Sequence, residues 1–243
     1  MPISIPIPGP MRPGVMVDRP NRFVVRARLD PDETLVECHL PDPGRLEGLL
    51  QAGTRMWIRP ASSPERRTRF TAAMAQAEGE LVSLDTQLPN KLIHEALQRG
   101  ALREFAGFEL DRPEVPVGRS RFDFRLADPM GHQLFLEVKS VTWAEGKRAF
   151  FPDAPSERAT RQVKLATQLS AEPATSAAVL FVCQRRDVES VEPARDLDPA
   201  FAEALAEAAR GGVRLVARRC RVTLEELVLG QPIELRVSFP PRS

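Results

Sequence analysis

The sequence predicts an α/β protein of two parts, a small β-barrel followed by a mixed α/β domain, and three features of the pattern carry that expectation. Short segments of alternating character run from Arg22 to Asp85; the apolar period lengthens to that of a helix near Leu88; beyond it, strand and helix signals alternate. With 42% hydrophobic residues against 28% charged ones over 243 positions, the chain can bury a core and is not globally disordered.

The barrel segments are Arg22–Leu29, Thr34–Leu40, Arg55–Arg59, Arg69–Ala77 and Glu80–Leu84, parted by proline, glycine and acidic turns. Five strands with a brief helix near Gly44–Leu50 suggest a Greek-key barrel of the OB type, while other small barrels also use five strands. Ahead of them, MPISIPIPGPMRPG is interrupted by proline every few positions and has no basic start followed by an apolar run. Residues 1–20 therefore read as an extended N-terminal tail and not as a secretory signal.

The change of period puts the boundary at 86/87, giving a barrel over 21–86 and an α/β domain over 87–243. Pro89–Arg99 sets Leu92, Ile93, Ala96 and Leu97 on one helical face, with Gly100 as the stop. Strands at Arg121–Leu126 and Leu134–Thr142 follow, joined by a turn holding Asp128, Pro129 and Gly131. A helix capped by Ser156 extends to about Ser170, and Ala177–Cys183 is an apolar run suited to a strand covered on both faces. Asp198 caps a helix that ends at Gly211 and Gly212, and Val213–Ala217 resumes as strand; strand, helix, strand implies a right-handed crossover and parallel pairing.

Composition narrows the function. Lys plus Arg number 34 against 33 Asp plus Glu, so any nucleic-acid binding must come from local patches. Cys38, Cys183 and Cys220 are odd in number and form no CxxC pair, which argues against a disulfide framework or thiolate zinc and fits a reducing cytoplasm. No apolar run reaches the roughly 18 residues of a spanning helix, so no membrane partner is expected. His39, His94 and His132 are scattered, and neither a Gly-rich phosphate loop nor a Ser/His/Asp set is visible, which argues against a nucleotide-driven engine or an esterase.

Side chains alternate across a strand, so Glu137 and Lys139 project from one face of Phe135–Ser140. In the preceding strand Asp123 emerges opposite the face shared by Phe122, Phe124 and Leu126, and the hairpin can bring it beside Glu137. Two carboxylates suit Mg²⁺, with Mn²⁺ as a substitute, because a hard ion keeps several waters and shares them with a substrate phosphate. Lys139 would then orient or help deprotonate the attacking water. Glu95, at the border of the first helix's apolar face, offers a third carboxylate. Glu95, Asp123, Glu137 and Lys139 thus follow the helix–strand–strand order of the PD-(D/E)xK phosphodiesterase fold. An ordinary strand with a surface Glu–Lys pair, worth at most about 1 kcal/mol, explains the same short pattern.

The candidate nucleic-acid surface lies on the barrel. Arg22, Val24, Arg26 and Arg28 share one face of the first segment, while Phe23, Val25, Ala27 and Leu29 take the other. In Arg55-Met56-Trp57-Ile58-Arg59 the indole stands between two arginines, a composition that can stack a base and neutralise its phosphates. Arg45 in the preceding loop and Arg67 and Arg69 in the following hairpin extend the set. Solvated faces carry arginine without a partner too, and Asp18, Glu33 and Glu65 would weaken the field.

Several motifs in order now carry a resemblance: His39-Leu40-Pro41-Asp42-Pro43-Gly44-Arg45-Leu46, Leu88-Pro89-Asn90-Lys91-Leu92, Ser120-Arg121-Phe122-Asp123-Phe124, Glu137-Val138-Lys139-Ser140-Val141-Thr142, Phe151-Pro152-Asp153-Ala154, and Pro193-Ala194-Arg195 followed by Asp198. Over about 21–237 the chain resembles the sugar fermentation stimulation protein A family. The resemblance implies an OB-like N-terminal domain, a PD-(D/E)xK nuclease-like C-terminal domain, nonspecific DNA binding, and a regulatory link to sugar metabolism. It departs at Ala159, Gln162 and Leu165, where the family often carries glycine, histidine and glutamate, and at Asp42, where asparagine is common. Gln162 puts in doubt a proton-transfer role for that helix, whereas Arg158, Arg161 and Lys164 keep a phosphate-contacting one.

Three readings follow: a DNA-binding protein with Mg²⁺-dependent phosphodiester hydrolysis, a noncatalytic DNA-binding regulator, and a binder of a small phosphorylated metabolite. RNA as an alternative to DNA, and a homodimer, are left open.

Overall fold

Alternating burial along short strands builds the barrel. The computed structural model describes residues 2–61 and 65–237. It begins with β1 (Ser4–Pro6), β2 (Arg12–Asn21), β3 (Val24–Leu29), β4 (Leu35–His39), β5 (Arg55–Pro60), β6 (Phe70–Ala77) and β7 (Glu80–Ser83). Val25, Ala27 and Leu29 of β3 and Met56 and Ile58 of β5 point inward onto Cys38, Leu40, Ala72 and Ala75. β2 pairs with β3 and β5, β3 with β4, and β5 with β6, all antiparallel. The start of β6 meets β4 in parallel at Cys38–Phe70 and His39–Thr71, which closes β2 to β6 into the five-stranded ring of an OB fold. β7 pairs only with the far half of β6.

Four expectations are corrected here. Residues 12–21 are not part of a tail but the first barrel strand; Pro13, Gly14 and Pro20 hide its alternation. Gly14 is required where two backbones approach, because a Cβ there would lie 2.5 Å from the Arg28 carbonyl oxygen. Glu80–Ser83, counted as a fifth barrel strand, is instead the appended one. The brief helix near Gly44–Leu50 is a single turn, with Leu49 and Leu50 N–H groups donating to Leu46 O, because Pro43, Gly44 and Gly48 leave too little helix propensity to propagate it. Phe23 sits in the β2–β3 turn and is exposed, not inward-facing. The tip of the β5–β6 hairpin includes 62–64, outside the described residues.

The second domain runs α1 (Leu88–Gln98), β8 (Glu109–Val117), β9 (Ser120–Ala127), β10 (Gln133–Val141), β11 (Ala144–Glu145), β12 (Arg148–Phe151), α2 (Glu157–Ser170), β13 (Thr175–Cys183), β14 (Ser190–Pro193), α3 (Pro199–Arg210), β15 (Arg214–Val222) and β16 (Glu226–Leu235). Its sheet has the order β11-β12-β14-β16-β15-β13-β10-β9-β8, with β1 added beside β16. β10, β13 and β15 are parallel neighbours, linked through α2 and α3 as the apolar run at Ala177–Cys183 implied. Ser156 caps α2 through Ala159 N, and Asp198 accepts from Phe201 N at 3.0 Å and from Ser156 N at 2.8 Å, so one carboxylate ties both helix starts together.

The sheet is covered on both faces. α2 and α3 bury Val163, Phe201 and Leu205 on Phe135, Val179 and Phe181. On the other face α1 lays Leu92, Ile93 and Ala96 on Leu134, Leu136 and Leu180. Ala73 and Met74, on the outside of the barrel, enter this same core, so the two domains share apolar packing. Arg185, 2% exposed, reinforces the junction by pairing with Glu78 of the β6–β7 turn at 2.7 Å and with Asp187. Among the described residues no helix is long and apolar enough to cross a membrane. Cys38, Cys183 and Cys220 are buried free thiols.

Candidate active site

A cleft of about 550 Å³ opens where the barrel loop 42–44 faces the ends of β9, β10 and β12 and the first turn of α2. Asp123, Glu137, Lys139 and Gln162 line it together with Asn90, Asp153, Arg22 and Arg158. The strands explain why these groups meet. β9 pairs with β10 only as far as Phe124–Leu136, and beyond that point the Asp123 carboxylate takes over the ladder by accepting from Val138 N at 2.7 Å. Its other oxygen accepts from Asn90 Nδ2 at 2.6 Å, so two donors fix Asp123. The same splaying separates Phe122 from Phe124 and Leu126: Phe124 and Leu126 join the α1-side core, whereas Phe122 packs edge-to-face on Phe135 in the α2–α3 core. The expectation that all three share one face is corrected accordingly.

Glu137 and Lys139 lie on one face of β10, as alternation requires, and form a buried pair at 2.7 Å rather than a surface one. They are only 5% and 8% exposed, which excludes the reading of a solvated ion pair. Lys139 Nζ also donates to Gln162 Oε1 at 2.8 Å, and Gln162 Nε2 donates to the Arg121 carbonyl at 3.3 Å. The glutamine that departs from the family pattern is thus a clamp on the lysine. Glu137 Oε1 is taken by Lys139, but Oε2 is buried with no hydrogen-bond partner. Burial is the main force raising the Glu137 carboxyl from 4.5 to about 7, opposed by Lys139 and reinforced by Asp123. Burial likewise raises Asp123, against the pull of the Val138 N–H and Lys139.

These groups fit a hard divalent cation. An orphaned carboxylate oxygen beside a second carboxylate is an expensive arrangement unless positive charge is supplied. Among the described residues no group of three His, Cys, Asp or Glu gathers into a cage, so backbone oxygen and water would complete the shell, the habit of Mg²⁺ rather than zinc.

Glu95 does not join them. It pairs with Arg99 one turn along α1. Five positions along a helix is about 500°, which turns Glu95 away from the face that presents Asn90; the first helix contributes the amide instead. No acidic pattern marked Asn90; the Leu88–Leu92 motif that contains it was the only available signal. Asp42 and Asp153 were also missed as participants. Burial drives Asp42 up to about 6, with the charge of Asp153 raising it further, and burial also raises Asp153; against this, Asp42 accepts from Gly44 N at 2.8 Å and Asp153 from Leu46 N at 3.4 Å. Arg19 donates to the Gly44 carbonyl at 2.6 Å and to that of Arg45, pinning the loop at the mouth of the cleft.

The predicted arginines divide. Arg22 and Arg158 line the cleft, and Arg45 lies beside it on the same loop. Arg26 is paired with Asp18 at 2.7 Å, Arg55 with Asp30 at 2.5 Å and Arg59 with Asp85 at 3.2 Å, so much of their charge is balanced by acids on the barrel's own outer face. Arg28, Arg67, Arg69 and Lys164 are exposed, and Arg161 is exposed beside Glu157 at 3.9 Å. Trp57 faces outward from the barrel as alternation predicts, but that face abuts the second domain, and the indole packs half-buried on the shared core. The expected base platform at Trp57 is therefore replaced by a domain contact.

Fold and cleft together define a class, an OB-type barrel joined to a mixed α/β domain with a carboxylate-lined cleft at their junction. Residues 17–84 match the SfsA N-terminal OB domain and residues 87–226 the Sugar fermentation stimulation protein RE domain. The chain belongs to the sugar fermentation stimulation protein family. It is 42% identical over 222 residues to a sugar fermentation stimulation protein homolog of Shouchella clausii, covering 91% of this chain and 95% of that one. It is 39% identical over 240 residues to the Chloroflexus aurantiacus homolog, covering 98% and 91%. The structure of Pyrococcus furiosus SfsA in complex with Ca²⁺ matches with a TM-score of 0.86 at 26% identity, over 98% of this chain and 100% of that one.

Proposed function

We propose that this protein binds DNA with little sequence preference and hydrolyses its phosphodiester bonds at the interdomain cleft, with Mg²⁺ as the cofactor and Mn²⁺ as a substitute. The observation that carries the reading is the unpartnered, buried Oε2 of Glu137 next to Asp123. Asp123 and Glu137 would hold the ion, which when bound supplies Lewis-acid stabilisation of charge on the phosphate. The chain's own groups do the rest. Asn90 and the Val138 N–H fix the rotamer of Asp123, so that its free lone pairs face the cleft. Gln162 holds Lys139 within reach of the same spot, where its ammonium can donate to a phosphate oxygen or orient a water. Arg22 and Arg158 on the walls supply backbone contacts, which carry affinity without sequence information. That the P. furiosus relative is in complex with Ca²⁺ supports a hard divalent ion as the cofactor, since Ca²⁺ also takes oxygen ligands.

The test is a cleavage assay on single-stranded, duplex and structured DNA and RNA with and without Mg²⁺, using Glu137→Ala as control. Cleavage that needs both the ion and Glu137 is the expected result. Binding without cleavage under all ions would establish the noncatalytic regulator instead, and affinity for a sugar phosphate with none for DNA would refute both.

A further inference from the structure

Trp143 and Phe150 form an aromatic pair that no apolar core absorbs. Their ring centroids are 5.0 Å apart with the planes tilted by 39°, and Phe150 N donates to the Trp143 carbonyl at 3.0 Å, so the β11–β12 hairpin holds the two rings in register. Arg148 places its guanidinium 5.4 Å from the Phe150 centroid. Both rings are half-buried, and neither belongs to any of the three cores described above. The indole edge also lies over Gly48 of the barrel loop, where a Cβ would stand 3.8 Å from Trp143 Cδ1, and this contact leaves its pairing with Phe150 at the cleft still to be explained.

Their position supplies the explanation. Trp143 follows directly from β10, four residues after Lys139, a separation of at most about 14 Å in extended chain. Both rings line the cleft that contains Glu137 and Lys139, and both also line a second hollow of about 510 Å³ on its far side. They are the partition between the two. Arg148 stands at the rim of the second hollow, 3.9 Å from Glu192, which Arg236 also holds at 3.4 Å, and Asp196 offers an acceptor within it. An aromatic face flanked by guanidinium suits a nucleobase with its phosphates, and carboxylate acceptors suit exocyclic amino groups.

We propose that Trp143 and Phe150 receive an unstacked nucleobase of the strand whose phosphate lies at Glu137 and Lys139, so that the cleft selects unpaired DNA over intact duplex. This rests on the DNA-binding reading above. A base inside a duplex is stacked on its neighbours and cannot also lie on the indole, so only a single strand or a locally opened site gains the contact.

The chain has two tryptophans, which makes the test direct. In a Trp57→Phe protein, emission reports Trp143 alone; it is titrated with a short deoxycytidine oligonucleotide and with a blunt duplex of the same length, in Ca²⁺, and affinities are measured in parallel by anisotropy for Trp143→Ala and Trp143→Phe. The proposal expects quenching by the single strand, a loss of single-strand affinity of roughly 5- to 150-fold in Trp143→Ala, a much smaller loss on duplex, and recovery of most of it in Trp143→Phe. If Trp143→Ala does not fold, quenching of the intact indole decides the matter. Binding with neither quenching nor loss overturns the platform and leaves the proposed function standing. Equal losses on both DNA forms overturn it too, since the ring would then only prop the cleft. Absence of DNA binding in the parent overturns both readings.

Discussion

Glu137→Gln should stabilise the metal-free protein above neutrality while leaving it unchanged in acid. The Glu137 carboxyl is raised from 4.5 to about 7 in the folded chain, chiefly by burial. A carboxyl raised on folding binds its proton more tightly in the native state, so its favourable contribution is complete below about 4.5 and is lost as pH rises through about 7. The interval, 7 − 4.5 = 2.5, at 1.36 kcal/mol for each pH unit amounts to about 3 kcal/mol. Glutamine mimics the protonated form at every pH and keeps the contact with Lys139, so it escapes that loss. Urea and thermal unfolding in chelator should show Glu137→Gln about 3 kcal/mol more stable than the parent near pH 8.5, roughly 6–12 °C in Tm, with the two converging near pH 5. Mg²⁺ should then raise the parent and not the variant. A variant less stable than the parent in chelator at pH 8.5, or a gap that does not change with pH, would refute the reasoning, because either result means that the charged carboxylate is not under strain.

Further outcomes follow from the same geometry. By calorimetry, Asp123→Ala should abolish Mg²⁺ binding, whereas Lys139→Ala should retain the ion and lose turnover; loss of ion binding in both would assign Lys139 a structural role. Arg22→Ala with Arg158→Ala should lower the salt slope of duplex binding by roughly 0.9 per lost phosphate contact, and Arg26→Ala, whose charge Asp18 already balances, should leave it nearly unchanged. A Cβ at position 44 would fall 2.0 Å from Asp153 Oδ2. Gly44→Ala should therefore displace that carboxylate from Leu46 N and cost roughly 1–3 kcal/mol in urea unfolding, and a parent-like midpoint would mean that Asp153 swings aside freely.

What the sequence made legible was local. The period of Leu92, Ile93, Ala96 and Leu97, the caps at Ser156 and Asp198, and the alternation around Glu137 and Lys139 each depend on neighbours within a few residues, and each reads correctly. What failed depends on partners far along the chain. β2 looks like a proline-broken tail until β3 and β5 pair with it. β8 carries two prolines and four charges, tolerable only because it is the edge of the sheet. Trp57 has the composition of a binding residue, and only the packing of the barrel's outer face on the second domain decides otherwise. At the site, acidity directed attention to Glu95, whereas the neutral Asn90 and Gln162 hold the ionisable groups in place. Amides carry no charge signature and are found only when their partners are known.

The short β1 strand gives the chain an unusual order of assembly. Ser4 pairs with Val228, 228 − 4 = 224 positions later, and Ile3 and Ile7 are buried in the core that α1 closes. The polypeptide thus contributes to the second domain, leaves it to make the whole barrel, and then returns. No single cut separates the two: a fragment starting at residue 87 would lack the strand that covers Glu226–Val228, and that backbone edge would be open to pairing with other chains. During synthesis the first residues wait for nearly all the others before they find their place, so the barrel can form early while the sheet stays unsealed until the end. Fusion or truncation at this end should therefore disturb the distant second domain, through the open sheet edge, before it disturbs the adjoining barrel.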